Sequence, residues 1–540
     1  MSSTGGSAPH AVAPAFGPEP LTPVSFLDRS ALVYGDRAGF VEGDVTRTYA
    51  EVADRCGRLA GALRAEGAGR GAVVSVLAPN TAMALEAHYG VPMSGAALNA
   101  LNTRLSVDEL AYIVGHAGSN LLLADHELAD TARAVIARLD RPVRVLVSGG
   151  DADEYEGWLG DADVTSPDIP DEWQLLSINY TSGTTGRPKG VMYAHRGAFL
   201  QALAMATQAG MSSATRFLWT LPMFHCNGWC FPWAVTAVGG VHVGLRRVEP
   251  AAIWRAIHDE GVTHFNAAPT VLTSLIEHPD ARPAAAPIRV ATGGAPPSPT
   301  LIERLAALNI EVTHLYGLTE TYGPAVICDW RPEWDHLAPA DRARRKALQG
   351  VANLVSRNVR VVDDLGNDLP ADGESQGEVV LRGNVVMLGY YRDPEATAAA
   401  TSPGPGGPWF RTGDIGVLHP DGYLELRDRS KDVIISGGEN IASIEVEQAL
   451  AAHDAVAECA VVAAPDDHWG EVPVAFVVLR NGFDVSEQDL IDHVKSRLAR
   501  FKAPKRIVFG ELPKTSTGKI QKFVLRDQLR GERSADVSAG

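Results

Sequence analysis

The amino-acid sequence predicts an α/β protein, with a large N-terminal part built on parallel sheets and a smaller α+β part at the C-terminus. Short apolar runs alternate with amphipathic helical patterns over much of the chain, which is typical of parallel sheets covered by helices. From about residue 355 the pattern changes to short strands separated by turns. About 110 residues follow position 430, enough for one small domain.

The first elements are predicted from hydrophobic periodicity. Buried strands are predicted at the apolar runs 72–79, 120–125, 143–148 and 175–180. Helices with an apolar stripe are predicted at 48–67 and 194–210. The glycine-rich stretch 67–72 follows a helix and precedes a strand, the reverse of a dinucleotide-binding turn, so that reading is excluded.

The later elements are predicted from strand patterns and turn signals. Strands are predicted in VRVVDDLGND, GEVVLRG and GYLELRD, with turns at 365–367 and 420–422. A helix is predicted to open at Ser443, with the serine as its cap and Glu445 and Glu447 in its first turns.

The composition excludes several classes of partner. With 48 Lys+Arg against 65 Asp+Glu, the formal net charge is −17, which argues against nucleic acid or an anionic membrane surface as the main partner. No apolar run is long enough for a membrane span. Residues 1–20 contain no Lys or Arg and no solid apolar core, so we expect a flexible tail rather than a secretory signal, and a cytoplasmic protein.

Five scattered cysteines favour a reducing compartment with free thiols. Cys226 and Cys230 lie near His225, but a second pair of ligands at matching spacing is missing. A zinc site is therefore disfavoured, and we expect buried thiols near a pocket.

Residues 180–190, YTSGTTGRPKG, are predicted to hold phosphate. Their glycines let the backbone approach a ligand, their hydroxyls and N–H groups favour anions, and Lys189 adds a positive charge. A Walker A loop is excluded, because Arg187 and Pro188 follow Gly186 and Gly190 follows the lysine. From composition alone, an ordinary surface turn remains the alternative.

Five segments together show a family resemblance. In chain order they are 180–190, YGLTE at 316–320, WFRTGD at 409–414, DRSKDVIISGGENI at 428–441 and PKTSTGKIQK at 513–522. The chain closely resembles the acyl-adenylate-forming (AMP-binding) enzymes, which include acyl-CoA synthetases, peptide-synthetase adenylation domains and firefly luciferase. The resemblance covers nearly the whole chain and is greatest to synthetases for short- or medium-chain or aromatic acids.

The resemblance implies a fold and a reaction. The large N-terminal domain, expected at 21–429, would contain doubly wound, mostly parallel sheets and a small β-barrel-like part. A mobile α+β domain would span 430–540, hinged at Lys431. A carboxylate would attack the α-phosphate of ATP, release pyrophosphate and form an acyl-adenylate, from which coenzyme A then displaces AMP.

The resemblance also implies an ATP site. Attack of a carboxylate on a polyphosphate needs positive charge and oriented donors rather than a general base. Glu320 resembles the family's Mg²⁺ ligand, with Thr184 as the second metal-binding residue. Tyr316 would offer its ring to adenine, Thr319 would reach a phosphate, and Asp414 would accept hydrogen bonds from both ribose hydroxyls. The implied ATP-binding residues are Thr181, Ser182, Gly183, Thr184, Thr185, Gly186, Lys189, Gly294, Ala295, Pro296, Tyr316, Gly317, Thr319, Asp414, Arg429 and Lys519.

Lys519 matches the family lysine that bridges the carboxylate and the phosphate in the first step. One unit charge about 4 Å away is worth roughly 4 kcal/mol at intermediate dielectric, a factor near a thousand in rate. The implied catalytic residues are Lys519, Glu320, Thr184 and His225. After adenylation the small domain would rotate, and the implied hinge and coenzyme A tunnel residues are Lys431, Ser436, Gly437, Gly438 and Glu439.

The acyl pocket is expected around PMFHCNGWCFPWA (222–234). Relatives that activate amino acids carry an aspartate where this chain has His225, so an α-amino acid is disfavoured. The implied acyl-pocket residues are His225, Trp229, Phe231, Trp233, Gly294, Tyr316, Gly317 and Tyr322. The expected partners are a small carboxylic acid, ATP, Mg²⁺ and coenzyme A, in a monomer or homodimer. Transfer to another nucleophile (an amine, a carrier protein or a small inorganic or organic acceptor) and a non-catalytic nucleotide sensor remain alternatives.

Overall fold

The computed structural model describes residues 17, 19–151, 153–181, 187–429, 432–436, 439–466, 469–480, 482–514 and 520–529. The strands are β1 (Ala38–Glu42), β2 (Val45–Thr48), β3 (Val73–Leu77), β4 (Ala97–Ala100), β5 (Leu121–Asp125), β6 (Arg144–Ser148), β7 (Leu175–Thr181), β8 (Lys189–Ala194), β9 (Arg216–Leu218), β10 (Val241–Val243), β11 (His264–Ala267), β12 (Ile288–Thr292), β13 (Ile310–Leu318), β14 (Gly323–Ile327), β15 (Val351–Ala352), β16 (Arg360–Val362), β17 (Gly377–Leu381), β18 (Thr401–Ser402), β19 (Trp409–Leu418), β20 (Leu424–Arg429), β21 (Ile434–Ser436), β22 (Glu439–Ile441), β23 (Val456–Asp466), β24 (Gly470–Leu479) and β25 (Arg506–Phe509).

Helices connect most of these strands. They are α1 (Ser25–Tyr34), α2 (Tyr49–Ala65), α3 (Ala82–Met93), α4 (Val107–Ala117), α5 (Ala129–Ile136), α6 (Glu154–Gly160), α7 (His195–Gln208), α8 (Phe231–Ala237), α9 (Pro250–Asp259), α10 (Pro269–Glu277), α11 (Pro299–Ala307), α12 (Pro339–Ala347), α13 (Pro394–Ala399), α14 (Ser443–Ala451) and α15 (Glu487–Arg497). Residues 522–529 are also helical. Short 3-10 turns occur at His126–Leu128, Thr319–Thr321, Pro332–His336 and Arg500–Lys502.

Two large sheets form the N-terminal part. One has nine strands in the order β15-β14-β13-β12-β11-β9-β10-β1-β2, and the other has six in the order β6-β5-β3-β4-β7-β8. The inner pairs are parallel, whereas β1–β2, β13–β14, β14–β15 and β7–β8 are antiparallel. The predicted parallel sheets are therefore confirmed.

Two five-stranded sheets follow. In the first, β16-β17-β19-β18 with β20 added to β19 form an antiparallel, barrel-like part. In the second, β22-β21-β24-β23 with β25 pack with α14 and α15 as an α+β unit. The second unit has its own apolar core, separate from the largest core of the N-terminal sheets. The predicted fold class is confirmed, and the boundary near 430 stays a prediction.

The helix predicted at 48–67 shows why local sequence patterns succeed here. It forms as α2, from Tyr49 to Ala65. The Thr48 hydroxyl accepts a hydrogen bond from the Glu51 N–H at 3.2 Å, and the Glu51 carboxylate accepts one from the Thr48 N–H at 2.6 Å. This reciprocal capping satisfies two N–H groups that a helix start leaves without partners.

The cap predicted at Ser443 is wrong. Ser443 is the first residue of α14, and Ala442 occupies the cap position. No side-chain capping hydrogen bond forms at that position. Instead, the Ser443 N–H donates to Asp428 Oδ2 at 2.5 Å. A distant carboxylate replaces the serine because a full negative charge also interacts favourably with the dipole at a helix N-terminus.

Within the described ranges, no helix combines the length and the apolar character that a membrane crossing needs.

Candidate active site

Tyr316 and Asp414 meet although 98 positions separate them. Tyr316 lies near the end of β13 and Asp414 in the middle of β19, and the Tyr316 hydroxyl donates to Asp414 Oδ2 at 2.7 Å. Both residues are buried. Pairing of β19 with β20 places the backbone of Arg429 opposite Asp414. Three residues expected to bind adenosine are thus brought to one place.

Glu320 and Lys189 both contact one tyrosine, Tyr390. The Tyr390 hydroxyl donates to Glu320 Oε1 at 2.7 Å, and the Lys189 Nζ lies 5.0 Å from the centre of the Tyr390 ring. Burial, followed by the charge of Glu320, raises the pKa of Tyr390, so its hydroxyl remains a hydrogen-bond donor at neutral pH.

The stem of the predicted phosphate loop is a β-hairpin. Strands β7 and β8 are antiparallel, with Thr181 opposite Lys189. Ser182, Gly183, Thr184, Thr185 and Gly186 lie outside the described residues. Lys189 therefore lies at the base of the predicted loop, and its ammonium group contacts the Tyr390 ring.

A left-handed turn follows His225. Cys226, Asn227, Gly228, Trp229 and Cys230 all have positive φ, between 41° and 66°. Left-handed backbone costs roughly 1–2 kcal/mol for each residue other than glycine. Such strain persists only where the surrounding structure holds it, and it clusters at functional sites.

Cys226 attaches this turn to the Thr319–Thr321 turn. Its Sγ lies 3.2 Å from the Thr319 hydroxyl and 3.9 Å from His225 Nε2. Burial raises the pKa of the Cys226 thiol to about 12, so it remains protonated at neutral pH. The expected buried thiol is present, and no group of three potential metal-ligating side chains occurs in the described part of the chain.

Trp229 fills the space between two glycine positions. A Cβ built on Gly293 would lie 3.2 Å from the indole, and a Cβ on Gly323 would lie 2.8 Å from it. Gly293 leads into the turn at Gly294, one of the residues implied to bind ATP, which has a φ of +85°. The buried ring therefore stands between that turn and the strand that follows the YGLTE segment.

A cavity of about 270 Å³ lies beside the same strands, between the end of α7 and the nine-stranded sheet. Residues of its wall include Met205, Phe217, Phe231, Asn266, Leu315 and Ile327. Phe231, expected in the acyl pocket, is a wall residue of this cavity. Leu315 directly precedes Tyr316, so the cavity adjoins the strand that carries the candidate nucleotide residues.

Comparison with known proteins supplies the family. Residues 27–391 match the sequence model described as AMP-binding enzyme, and residues 445–519 match the AMP-binding enzyme C-terminal domain. The chain belongs to the AMP-binding enzyme family. The suspected resemblance to adenylate-forming enzymes is confirmed.

Relatives of this AMP-binding enzyme are similar over nearly their whole length. The 2-methylpropanoate–CoA ligase CCL4 of Humulus lupulus is 45% identical, covering 96% of this chain and 97% of the relative. The peroxisomal acetate/butyrate–CoA ligase AAE7 of Arabidopsis thaliana is 42% identical, covering 94% and 95%. The crystal structure of the anthranilate CoA ligase AuaEII with anthranoyl-AMP has a TM-score of 0.83 at 26% identity, covering 95% and 98%.

Two residues expected in the acyl pocket are used in packing. The Tyr322 ring of this AMP-binding enzyme stacks on Tyr193 at 3.8 Å, and its hydroxyl accepts the Ala194 N–H at 2.5 Å. The Trp233 indole N–H donates to the His88 carbonyl at 3.2 Å. Both side chains are almost fully buried.

Several predicted residues lie outside the described part: Lys431, Gly437, Gly438, Lys519 and the loop residues 182–186. Arg429 is described by its backbone alone. Ser436 and Glu439 face each other in the β21–β22 pair. Gly317 lies so close to the Gly323 carbonyl that a Cβ has no room there. The roles assigned to all these residues stay predictions.

Sequence reasoning missed Tyr390. No motif marks it, because its position depends on hydrogen bonds between residues 388–391 and β8, far away in the chain. The sequence offers only a pair of tyrosines that follow Gly389. Such a stretch is common in turns and indicates no chemistry of its own.

The residues present fit a Mg²⁺ ion. Glu320 forms no ion pair with another described residue, and one carboxylate oxygen is engaged by Tyr390. Mg²⁺ is usually held by one or two carboxylates together with substrate phosphates and water, so a single glutamate such as Glu320 suffices.

Proposed function

We propose that this protein activates a short aliphatic carboxylic acid and transfers its acyl group to coenzyme A. The protein is an AMP-forming acid–thiol ligase that uses ATP, Mg²⁺ and coenzyme A, in agreement with its family and its CoA-ligase relatives. The identity of the acid is the new part of the proposal. Trp229, wedged between Gly293 and Gly323, is the observation that carries it.

The residues of the site perform separate tasks in the proposed mechanism. Asp414, held by Tyr316, accepts hydrogen bonds from the ribose, and Tyr316 also borders the adenine. Lys189 and Lys519 supply positive charge for the approach of a carboxylate to the phosphates. Glu320 and Thr184 would hold Mg²⁺, and the bound ion would neutralise phosphate charge.

The size of the acid is set by the Trp229 ring. In this proposal the ring, packed against the Gly293 and Gly323 positions, takes the space that a longer acyl chain would need. Removal of the indole should therefore leave room for longer chains.

An acid panel from acetate to octanoate, followed by pyrophosphate release and coenzyme A consumption, tests the proposal. The unaltered protein should prefer acids of about two to five carbons. Trp229→Gly should raise kcat/KM for octanoate relative to acetate at least about tenfold, since each buried CH₂ is worth about 0.8 kcal/mol. Glycine suits this position because the φ of Trp229 is +56°.

Trp173→Ala is the matched control, because that tryptophan is 57% exposed. A preference of the unaltered protein for octanoate, or an unchanged profile in Trp229→Gly, would contradict the assignment of Trp229. Acid-dependent pyrophosphate release without coenzyme A consumption would indicate another acceptor, and no turnover with any acid would indicate the nucleotide sensor.

We also propose that this protein is cytoplasmic and that it is a monomer or a homodimer. The alternative location is the peroxisome, the compartment named for the relative AAE7. Cell fractionation and light scattering of the purified protein separate these possibilities.

A further inference from the structure

We propose that Tyr390 is a positioning residue, which keeps Glu320 and Lys189 apart so that each can act on the nucleotide. The inference rests on the proposed roles of Glu320 as Mg²⁺ ligand and of Lys189 as phosphate-binding cation. It assigns a task to a residue that belongs to none of the recognised segments.

Tyr390 contacts both charged groups with different parts of its side chain. Its hydroxyl donates to Glu320 Oε1 at 2.7 Å. Its ring lies 5.0 Å from Lys189 Nζ, within the range of a cation–π interaction. The side chain is largely buried, with 9% relative exposure, so water competes little for either contact.

The backbone holds Tyr390 in this position from both sides. The Tyr391 N–H donates to the Gly190 carbonyl at 2.7 Å, which fastens the segment to the strand that carries Lys189. The Met387 N–H donates to the Glu320 carbonyl at 2.8 Å. The segment is thus joined to the Glu320 backbone and to the strand of Lys189, and the Tyr390 side chain contacts both charged groups.

The arrangement solves an electrostatic problem. A lysine and a glutamate at one site attract each other, and a direct ion pair would use the charge that each needs for its ligand. Tyr390 gives the carboxylate a neutral donor and gives the ammonium a neutral ring face. Glu320 retains its negative charge for a cation, and Lys189 retains its positive charge for phosphate.

Tyr390→Phe tests the hydrogen bond, because phenylalanine keeps the ring beside Lys189 and removes the hydroxyl. ATP binding without acid is followed by calorimetry across a series of Mg²⁺ concentrations, and AMP binding is measured without Mg²⁺. We expect the Mg²⁺ concentration for half-maximal ATP binding to rise about tenfold, as for loss of one hydrogen bond to a charged group. AMP affinity should change less than about twofold.

Tyr391→Phe is the matched control, since that hydroxyl contacts only the Ala117 carbonyl, at 3.4 Å, among the hydrogen bonds described for it. An unchanged Mg²⁺ requirement in Tyr390→Phe, or an equal loss of AMP affinity, would overturn the proposal, the second outcome indicating a merely structural role.

Glu320→Gln distinguishes failure of the Tyr390 proposal from failure of the proposed Mg²⁺-binding role of Glu320. A raised Mg²⁺ requirement in Glu320→Gln with none in Tyr390→Phe rejects the Tyr390 proposal alone. No change in either variant rejects the metal role of Glu320 as well. Acid-dependent pyrophosphate release by the unaltered protein is recorded in parallel and tests the overall reaction independently.

Discussion

Buried histidines are a residue-scale feature that affects stability. His88, His195, His242 and His314 are almost fully buried. Burial lowers the pKa of His88 and His314 to about 4 and of His195 and His242 to about 3. Each is therefore neutral in the folded protein at pH 7, and His88, for example, donates from Nδ1 to the Ala84 carbonyl at 2.7 Å.

These shifts predict destabilisation by acid. An unfolded histidine takes up a proton near pH 6.5, whereas the folded one does so only near pH 4 or below, so the free energy of unfolding should fall as pH drops below about 6.5. His314→Gln should remove up to one of the protons taken up on unfolding. The slope of the free energy of unfolding against pH should therefore fall by up to about 1.4 kcal/mol per pH unit between about pH 4.5 and 6. Denaturant unfolding at several pH values measures this slope.

The exposed Leu32 provides the control for that experiment. Its side chain is 87% exposed, and Leu32→Gln adds and removes no titratable group, so the slope should stay unchanged. An undiminished slope in His314→Gln would contradict the contribution assigned to that histidine.

The left-handed turn at 226–230 is the main element-scale feature of the site. Asn227 holds it through a fully buried polar network. The Asn227 carbonyl oxygen accepts from Ser177 at 2.5 Å and from Asn179 at 2.6 Å, and its amide nitrogen donates to His88 Nε2 at 3.2 Å. Asparagine suits the position because it tolerates left-handed backbone better than most residues.

Asn227→Ala should lower the free energy of unfolding by about 3 kcal/mol or more. It removes the buried acceptor of the Ser177 hydroxyl and one of the two acceptors of the Asn179 amide, and it keeps a Cβ in left-handed backbone. Asn227→Gly loses the same hydrogen bonds but removes the backbone strain, so it should be about 1 kcal/mol more stable than the alanine variant. Chemical unfolding of both variants measures the difference, and an alanine variant equal to or more stable than glycine would contradict strain at this turn.

At the scale of the whole molecule, two polar contacts join the N-terminal part to the C-terminal unit. Asp428 accepts the Ser443 N–H at the start of α14, and Arg480 Nε lies 3.7 Å from Glu277 Oε1. Polar contacts of this kind are easier to exchange than a shared apolar core. They are consistent with the predicted rotation of the C-terminal domain.

Two substitutions should split the reaction between these parts. Lys519→Ala should abolish acyl-adenylate formation yet largely spare thioester formation from supplied acyl-adenylate, because the lysine is predicted to act in the first step alone. Lys431→Pro should retain adenylation and lose thioester formation, because proline restricts φ at the predicted hinge. Separate assays of pyrophosphate release and thioester formation measure the two steps.

Lys431→Ala is the control for the hinge and should retain both steps. Equal loss of both steps in Lys519→Ala, or retained thioester synthesis in Lys431→Pro, would count against the predicted alternation.

The family, the reaction class and the arrangement of the sheets could be predicted from the sequence. Strands and helices can be predicted because the periodicity of apolar residues reflects which face is buried. Phosphate binding by residues 180–190 is likewise predicted from residue type and spacing. The YGLTE and WFRTGD segments also mark Tyr316 and Asp414 as candidate site residues, and a hydrogen bond joins the two in the structure.

Only the tertiary structure decided which distant residues meet. Three features depend on the path of the chain: the contacts of Tyr390 with Lys189 and Glu320, the Asp428 carboxylate at the start of α14, and the Trp229 ring between Gly293 and Gly323. Local patterns carry no information about such contacts, because each depends on pairing between segments far apart in sequence. The left-handed turn has the same origin, since a buried network holds a backbone that its own residues disfavour.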